Sequence, residues 1–410
     1  MRSLRSHRAW YWVVFTGFVM QGVLFATWVS RTPEIQASLH LDTAGMGAFT
    51  LALALGSLSG MLLGGQAVHR FGVKTTLAVS YGLSSTLLIC LGFVTSTGQL
   101  ALSTVTVAVL GAAMGCGGLS INIEGANVDR GSRRTLLPSL HGAFSAGTLL
   151  GGAIGTLAII AGVSVNMQFL AIGLLCFVVN AALAVLMPRD ENLFTQAVTL
   201  TDTTKPSRKE RAAVWREKRT LIVAFIVLGF NLAEGTASTW LPIAMVDTGM
   251  TEASATATYT TFAAAMTLAR FSGGYVVDRI GRSRSLLLFA SITVVGILTV
   301  IATPLIALPF LGAFLWGVGN SMGFPLCVST ISDEPRLSAS RVGILALSSN
   351  VAGLAGPPLI GGMGQILGLL TAFYAPVLLL GSGMTLNRFT RPTRSQPNVV
   401  VQCRRQLPDR

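Results

Sequence analysis

The stretch Gly274-Tyr-Val-Val-Asp278-Arg279-Ile-Gly281-Arg282-Ser-Arg284 is basic, punctuated by glycine, and set between two long apolar runs. A stretch of the same design, Gly65-Gln-Ala-Val-His69-Arg70-Phe-Gly72-Val-Lys74, stands 209 residues earlier. That offset also pairs Pro33 with Pro242 and Gly64 with Gly273, and an offset of 206 pairs Gly147 with Gly353 and Gly155 with Gly361. Self-similarity at half the chain length means two like units.

Each unit consists of apolar runs. A hydrocarbon core of about 30 Å needs roughly 20 apolar residues per helix. Runs of that kind are expected over 10–30, 45–67, 73–95, 99–123, 139–162, 167–187, 220–244, 254–277, 285–303, 305–330, 342–365 and 367–387. The fold class is therefore all-α integral membrane, with twelve transmembrane helices in two pseudo-symmetric six-helix bundles, 1–187 and 220–387. Between them, 188–219 is polar, Thr-rich and basic, and reads as a cytoplasmic linker; 388–410 reads as a basic cytoplasmic tail.

Composition agrees. Of 410 residues 51% are apolar and 11% charged, against roughly 25% charged in soluble domains. The 45 glycines follow no triplet period and suit close helix packing in lipid. The net charge of +13 raises the question of nucleic acid, but the basic residues sit in short loops without interleaved aromatics, so no nucleic-acid partner is expected. With the N-terminus inside, 27 of the 29 lysines and arginines fall on the cytoplasmic side, leaving only Arg31 and Arg270. By the positive-inside rule both termini are cytoplasmic, in a cell inner membrane. The first run follows Arg8 without a small-residue cleavage motif and reads as a retained helix. Cysteines 90, 116, 176, 327 and 403 form no metal-ligand spacing, and no nucleotide-binding or hydrolase motif is present. Neither metal, cofactor nor enzymatic activity is expected.

The Gly274–Arg284 stretch resembles the G-x-x-x-D-R-x-G-R-[RK] signature of the major facilitator superfamily, and the Gly65–Lys74 stretch resembles its first copy, departing from it at His69, where the family usually has Asp. The resemblance implies two bundles rocking about a midplane site. It also implies a gating loop at Arg70, Gly72, Asp278, Arg279, Gly281 and Arg282, in which Asp278 caps or pairs with a neighbouring helix end; the bland alternative is a basic loop that only sets topology. The glycine-rich segments from Gly147 and from Gly353 resemble the family's antiporter motif, but the first lacks its proline, and close packing explains both. The fourth run lacks the arginine of many drug antiporters. Four patches, Trp28-Val-Ser-Arg31-Thr-Pro33, Asn122-Ile-Glu124-Gly-Ala-Asn127-Val-Asp129-Arg130, His141-Gly-Ala-Phe-Ser145, and Glu234-Gly235 with Trp240, resemble the YbjJ-like bacterial permeases.

Ionisable groups inside a membrane mark function by default. Of sixteen acids only Glu234, in the seventh run, and Glu124, at the edge of the fourth, lie within runs. Asn231, Glu234 and Ser238 recur at helical spacing; Gln21, Trp28 and Arg31 do so on the first run, and the resemblance implies that the two stripes face each other. Glu234 is the candidate proton carrier or solute ligand, with an interhelical structural carboxylate as the alternative. Arg31 either binds an anionic solute, pairs with Glu34 or Asp42 as an outer gate, or snorkels. Arg270 is expected to snorkel or pair with a carboxylate. His141 offers proton coupling or an interhelical hydrogen bond. Asn122 completes the candidate set, and Asn320 and Asn350 offer solute hydrogen bonds or helix glue. The reading is a monomeric, alternating-access transporter of a small polar, sugar-like solute in a lipid bilayer, coupled to protons or facilitative. A drug or metabolite exporter, or a non-transporting receptor or scaffold, are the alternatives.

Overall fold

Hydrocarbon offers no partner for a backbone N–H or C=O, so segments crossing it satisfy their hydrogen bonds internally as helices. The computed structural model describes residues 2–130, 132, 136–187, 208–302, 307–331 and 335–386, and all regular structure among them is helical. The expected basic tail and residues 188–207 of the linker lie outside the described residues. The linker's end carries a short helix, Arg208–Val214.

The first six spans are Arg2–Ser30, Thr43–Phe71, Val73–Ser96, Leu100–Arg130, Leu137–Ile160 and Val165–Leu186. The second six are Lys218–Asp247, Glu252–Ile280, Arg282–Ile301, a tenth broken into Ala307–Asn320 and Gly323–Ile331, Pro335–Leu367, and a twelfth broken into Leu369–Ala372 and Tyr374–Leu386. Eleven of these are long and apolar enough to cross a membrane. The eighth has the length, 29 residues, but its alanines, threonines and Arg270 lower its hydropathy. Three expectations are corrected. The tenth and twelfth spans, expected unbroken, are interrupted after Asn320 and Ala372, and a short helix, Thr32–Ser38, follows the first span. Pro33 at its start explains the latter, since a proline fits the first turn of a helix and not its interior.

The two basic turns are hinged on glycine for a definite reason. Gly72 and Gly281 have φ of 79° and 82°, a left-handed conformation that side chains with a Cβ avoid. These turns define one end of the molecule, the Gly72/Gly281 end; the other is the Ser30/Gln365 end. Near the first of these Arg341 forks onto Glu217 at 2.8 and 3.0 Å, joining the starts of the seventh and eleventh spans and holding the Glu217 carboxyl below its usual range.

Within lipid, helices associate through small residues that let backbones approach. The second and fourth spans each carry a pair of glycines four apart, Gly56 with Gly60 and Gly111 with Gly115. A Cβ on Gly60 would stand 1.9 Å from the Ala112 carbonyl oxygen, and one on Gly115 would stand 2.0 Å from that of Ser57. The first and fifth spans meet likewise at Gly147, where a Cβ would lie 2.1 Å from the Val19 oxygen.

Contacts between the first six spans and the last six run chiefly through two pairs, fifth with eighth and second with eleventh. Thr256 donates to the Ser30 carbonyl at 3.1 Å, Thr156 and Thr260 share a hydrogen bond of 3.2 Å, and Gln365 Oε1 accepts from the Thr43 and Ala44 amides at 3.1 and 3.3 Å. These crossing bonds lie toward the Ser30/Gln365 end. The threonines that cost the eighth span its hydropathy are thus the groups that join it to the other half.

Overpacking of this kind costs about 1–3 kcal/mol. Gly60→Leu is therefore expected to lower the melting temperature in detergent by roughly 3–10 °C. Gly65→Leu, where no atom lies within 4 Å of a built Cβ, leaves it unchanged; thermal unfolding of the two variants checks this.

Candidate functional site

The break after Asn320 opens the site. Interrupting a helix frees backbone carbonyls, and in a membrane such irregular backbone persists only where it is buried in protein or faces a cavity. Arg270 of the eighth span donates its Nε to the Ser321 carbonyl at 3.4 Å. Its Nη1 donates to Ser145 Oγ of the fifth span at 2.5 Å, and its Nη2 lies 3.6 Å from Glu234 Oε1 of the seventh. Asn320 Nδ2 donates to the other oxygen of Glu234, Oε2, at 3.1 Å. One guanidinium therefore gathers four spans, three from the second half and one from the first. Arg270 and Glu234 keep 24% and 37% of their side-chain exposure, so the pair faces open space rather than a sealed core.

The surroundings reinforce the arrangement. Thr267, one turn before Arg270, donates to the Ser145 carbonyl at 3.1 Å. A Cβ on Gly142 would stand 3.0 Å from the Phe271 ring, so the first turn of the fifth span lies directly on the eighth. Asn320 is 3% exposed, and its Oδ1 has no hydrogen-bond partner among the described residues. That leaves an unused acceptor beside the ion pair.

Several expected site residues are placed elsewhere. Glu234 is not a lone acid, because Arg270 and Asn320 attend both its oxygens. Asn231 turns back to the Val227 carbonyl of its own helix at 2.9 Å. Gln21 does not face that stripe: it accepts from Tyr81 at 3.2 Å and donates to the Met114 carbonyl at 3.4 Å, within the first half. Trp28 is buried, its ring 5.9 Å from that of Phe49. Arg31 is 2% exposed and spends its donors on Gln168 at 2.5 Å, Glu34 at 2.5 Å and the Val163 carbonyl at 2.6 Å. It fastens the first span to the loop between the fifth and sixth; Asp42 instead caps the second span through the Gly45 amide at 2.7 Å. His141 is exposed, edge-on to Phe18 at 5.6 Å. Asn122 is exposed and donates to the Gly118 carbonyl at 2.7 Å.

Around the turns, the Arg70 guanidinium lies over Phe71 at 5.4 Å, that of Arg279 over Tyr275 at 4.3 Å, and Arg282 donates to the Ser329 carbonyl at 2.9 Å. The expected Asp278 latch is not made: Asp278 is exposed and has no ion pair or hydrogen bond among the described residues. Its neighbouring arginines are drawn to an aromatic face and a helix end instead.

A second acid is buried away from Arg270. Glu124 is 7% exposed; it accepts from Trp10 Nε1 at 3.1 Å and from the Asn127 side chain.

The family model for the Major Facilitator Superfamily matches residues 13–340 and 231–402. The chain belongs to the Major Facilitator Superfamily. An uncharacterised transporter of this superfamily from Yersinia pestis is 26% identical over 371 residues, spanning 88% of this chain and 91% of its own. Among solved structures, a point mutant of the nucleoside transporter NupG superposes with a TM-score of 0.74 at 13% identity, covering 94% of this chain and 100% of its own. A D-xylose–proton symporter gives 0.72 at 15% identity, covering 93% and 96%. Those two likenesses show the fold. This superfamily member is a secondary transporter of small solutes and not an enzyme.

Of the two expectations for Arg270, snorkelling or pairing with a carboxylate, the structure shows the pairing, with Glu234; Ser321 was not singled out. The signal for Arg270 was its isolation among basic residues; that for the Ser321 carbonyl was Pro325 four residues on, which has no N–H to donate back to it. For Arg31 the geometry carries a stability prediction. Arg31→Ala leaves Glu34, Gln168 and Val163 without a buried donor and is expected to cost roughly 2–4 kcal/mol. Arg31→Lys recovers only part, because one ammonium cannot present the guanidinium fork; melting curves in detergent report both.

Proposed function

We propose that the chain is a proton-coupled transporter of a small, hydroxyl-rich solute, working as a monomer in the cell inner membrane. The observation that carries this is the Glu234–Arg270–Asn320–Ser145 cluster, polar groups from both halves converging at one guanidinium. A carboxylate accepts from solute hydroxyls and a guanidinium donates to solute oxygens, while buried Asn320 holds one oxygen of Glu234 in place. The ion pair is close enough to hold without a solute and open enough to be divided by one. A drug exporter calls for a voluminous aromatic and Met-rich cavity, and the groups gathered here are polar.

Superfamily relatives with solved structures support the chemistry. The names of two, a nucleoside transporter and a D-xylose–proton symporter, specify polar, hydroxyl-bearing solutes, and the second specifies a proton.

Orientation comes from the charge asymmetry. Placing the Gly72/Gly281 end in the cytoplasm puts both termini there. On that orientation the contacts of Ser30 with Thr256 and of Gln365 with Thr43 close the outer side, and transport consists of the bundles 1–187 and 220–387 rocking until those bonds break.

Purified protein in proteoliposomes, offered labelled D-xylose, glucuronate or uridine under an imposed pH gradient, is expected to accumulate at least one of them. Arg270→Ala and Glu234→Gln are each expected to reduce that uptake about tenfold or more, a loss of about 1.4 kcal/mol or more; uptake unchanged in both removes the cluster from solute binding. A C-terminal fluorescent protein is expected to light up in the cytoplasm, while a C-terminal periplasmic phosphatase stays inactive.

A further inference from the structure

Glu234 and Glu124, the two carboxylates that the sequence sets apart from the loops, have different company. Glu234 has a cation at 3.6 Å and keeps 37% exposure. Glu124 is 7% exposed, and its partners, Trp10 and Asn127, are neutral donors. An arginine beside a carboxylate favours the charged form, whereas burial without an opposite charge favours the protonated one. Of the two, Glu124 is the acid with no cation beside it among the described residues.

The ionisable groups on the elements packed around it are committed elsewhere. On the first span, Tyr11 shares a hydrogen bond with Ser139, and Arg8 is exposed with no salt bridge among the described residues. On the second, Arg70 lies over Phe71, and His69 is exposed. On the third, Lys74 donates to the Met187 carbonyl and Tyr81 to Gly17 and Gln21. On the fifth, His141 rests against Phe18. Asp129, one turn further along the same span, accepts from the Leu136 amide.

Placement gives the acid a route to act. The first and fourth spans run antiparallel along one seam. Trp10 meets Glu124, a Cβ built on Gly17 would lie 3.0 Å from Ile121, and one built on Gly118 would lie 2.9 Å from Gln21 Nε2. Glu124 therefore stands at the Gly72/Gly281 end of a line of contacts leading to the polar Gln21–Tyr81 pair. Losing its charge weakens the hold of Trp10 on the fourth span at one end of that seam.

We propose that Glu124, rather than Glu234, is the group that binds and releases the coupling proton, while Glu234, paired with Arg270, serves as a solute ligand. This rests on the proton-coupled reading above, so the test separates the two. In the first arm no solute is used. Infrared spectra of the purified protein in lipid nanodiscs are titrated with pH, following the carbonyl band of a protonated carboxylic acid. A titrating band that persists in Glu234→Gln and vanishes in Glu124→Gln is expected. A band that instead vanishes in Glu234→Gln, or that remains in Glu124→Gln, overturns the assignment. Failure of every solute to respond to a pH gradient would sink the coupling reading while leaving this band untouched.

The second arm uses whichever of D-xylose, glucuronate or uridine is accumulated. Glutamine has the size and hydrogen-bonding groups of the protonated acid. Glu124→Gln is therefore expected to keep solute exchange within about twofold of wild type, yet to lose gradient-driven accumulation about tenfold or more. Glu124→Asp, which still titrates, is expected to restore part of it and guards against a folding defect. Undiminished accumulation in Glu124→Gln refutes the proposal.

Discussion

An arginine in the middle of a hydrocarbon layer has to be met by acceptors, and in this molecule much else follows from how Arg270 is met. Its guanidinium holds Glu234, Ser145 and the Ser321 carbonyl, which lie on the seventh, fifth and tenth spans. The break in the tenth span supplies one of those acceptors, so the interrupted helix and the guanidinium explain each other. Because Ser145 belongs to the other half, the charge also sits on the surface across which the halves meet. A polar residue at such a place joins two bundles without sealing them, since its partners are polar enough to be exchanged for water or solute.

Packing elsewhere follows a different rule. Lipid is as apolar as leucine, so helices gain little by hiding apolar side chains from it and associate through close backbone approach instead. The paired glycines of the second and fourth spans bring carbonyls to where a Cβ would collide, making this contact rigid. The contact between halves has another character: hydrogen bonds of threonine, glutamine and Arg270, few in number and spread from the Gln365–Thr43 contact to the Ser145 contacts of Thr267 and Arg270. Rigid seams within bundles and sparse polar bonds between them are what rocking motion requires.

The two acids, Glu234 and Glu124, differ in the same way. Glu234 has a cation beside it in a space that both halves border. Glu124 lies buried between neutral donors inside one bundle. They look equivalent as letters in a sequence of few acids. Their difference lies entirely in what stands within hydrogen-bonding reach.

The sequence by itself determined the number of spans, the division into halves and the glycine turns at Gly72 and Gly281, because length against bilayer thickness and repetition are properties of the chain taken in order. It also marked Glu234, Arg270 and Glu124, since a charged residue inside an apolar run is visible without coordinates. Tertiary structure alone decided partnership. The expected facing of Gln21 and Trp28 toward Glu234 rested on helical spacing, which says which residues share a face and not which neighbour that face meets. Arg31, conspicuous as a basic residue on the wrong side, is saturated within its own half, and Asp278 finds no latch. Pro325 marks the Ser321 carbonyl as freed, but only packing shows that Arg270 takes it up. Hydrogen bonds between spans depend on the rotation and depth of each helix in the bundle, and those are set by packing against all neighbours at once.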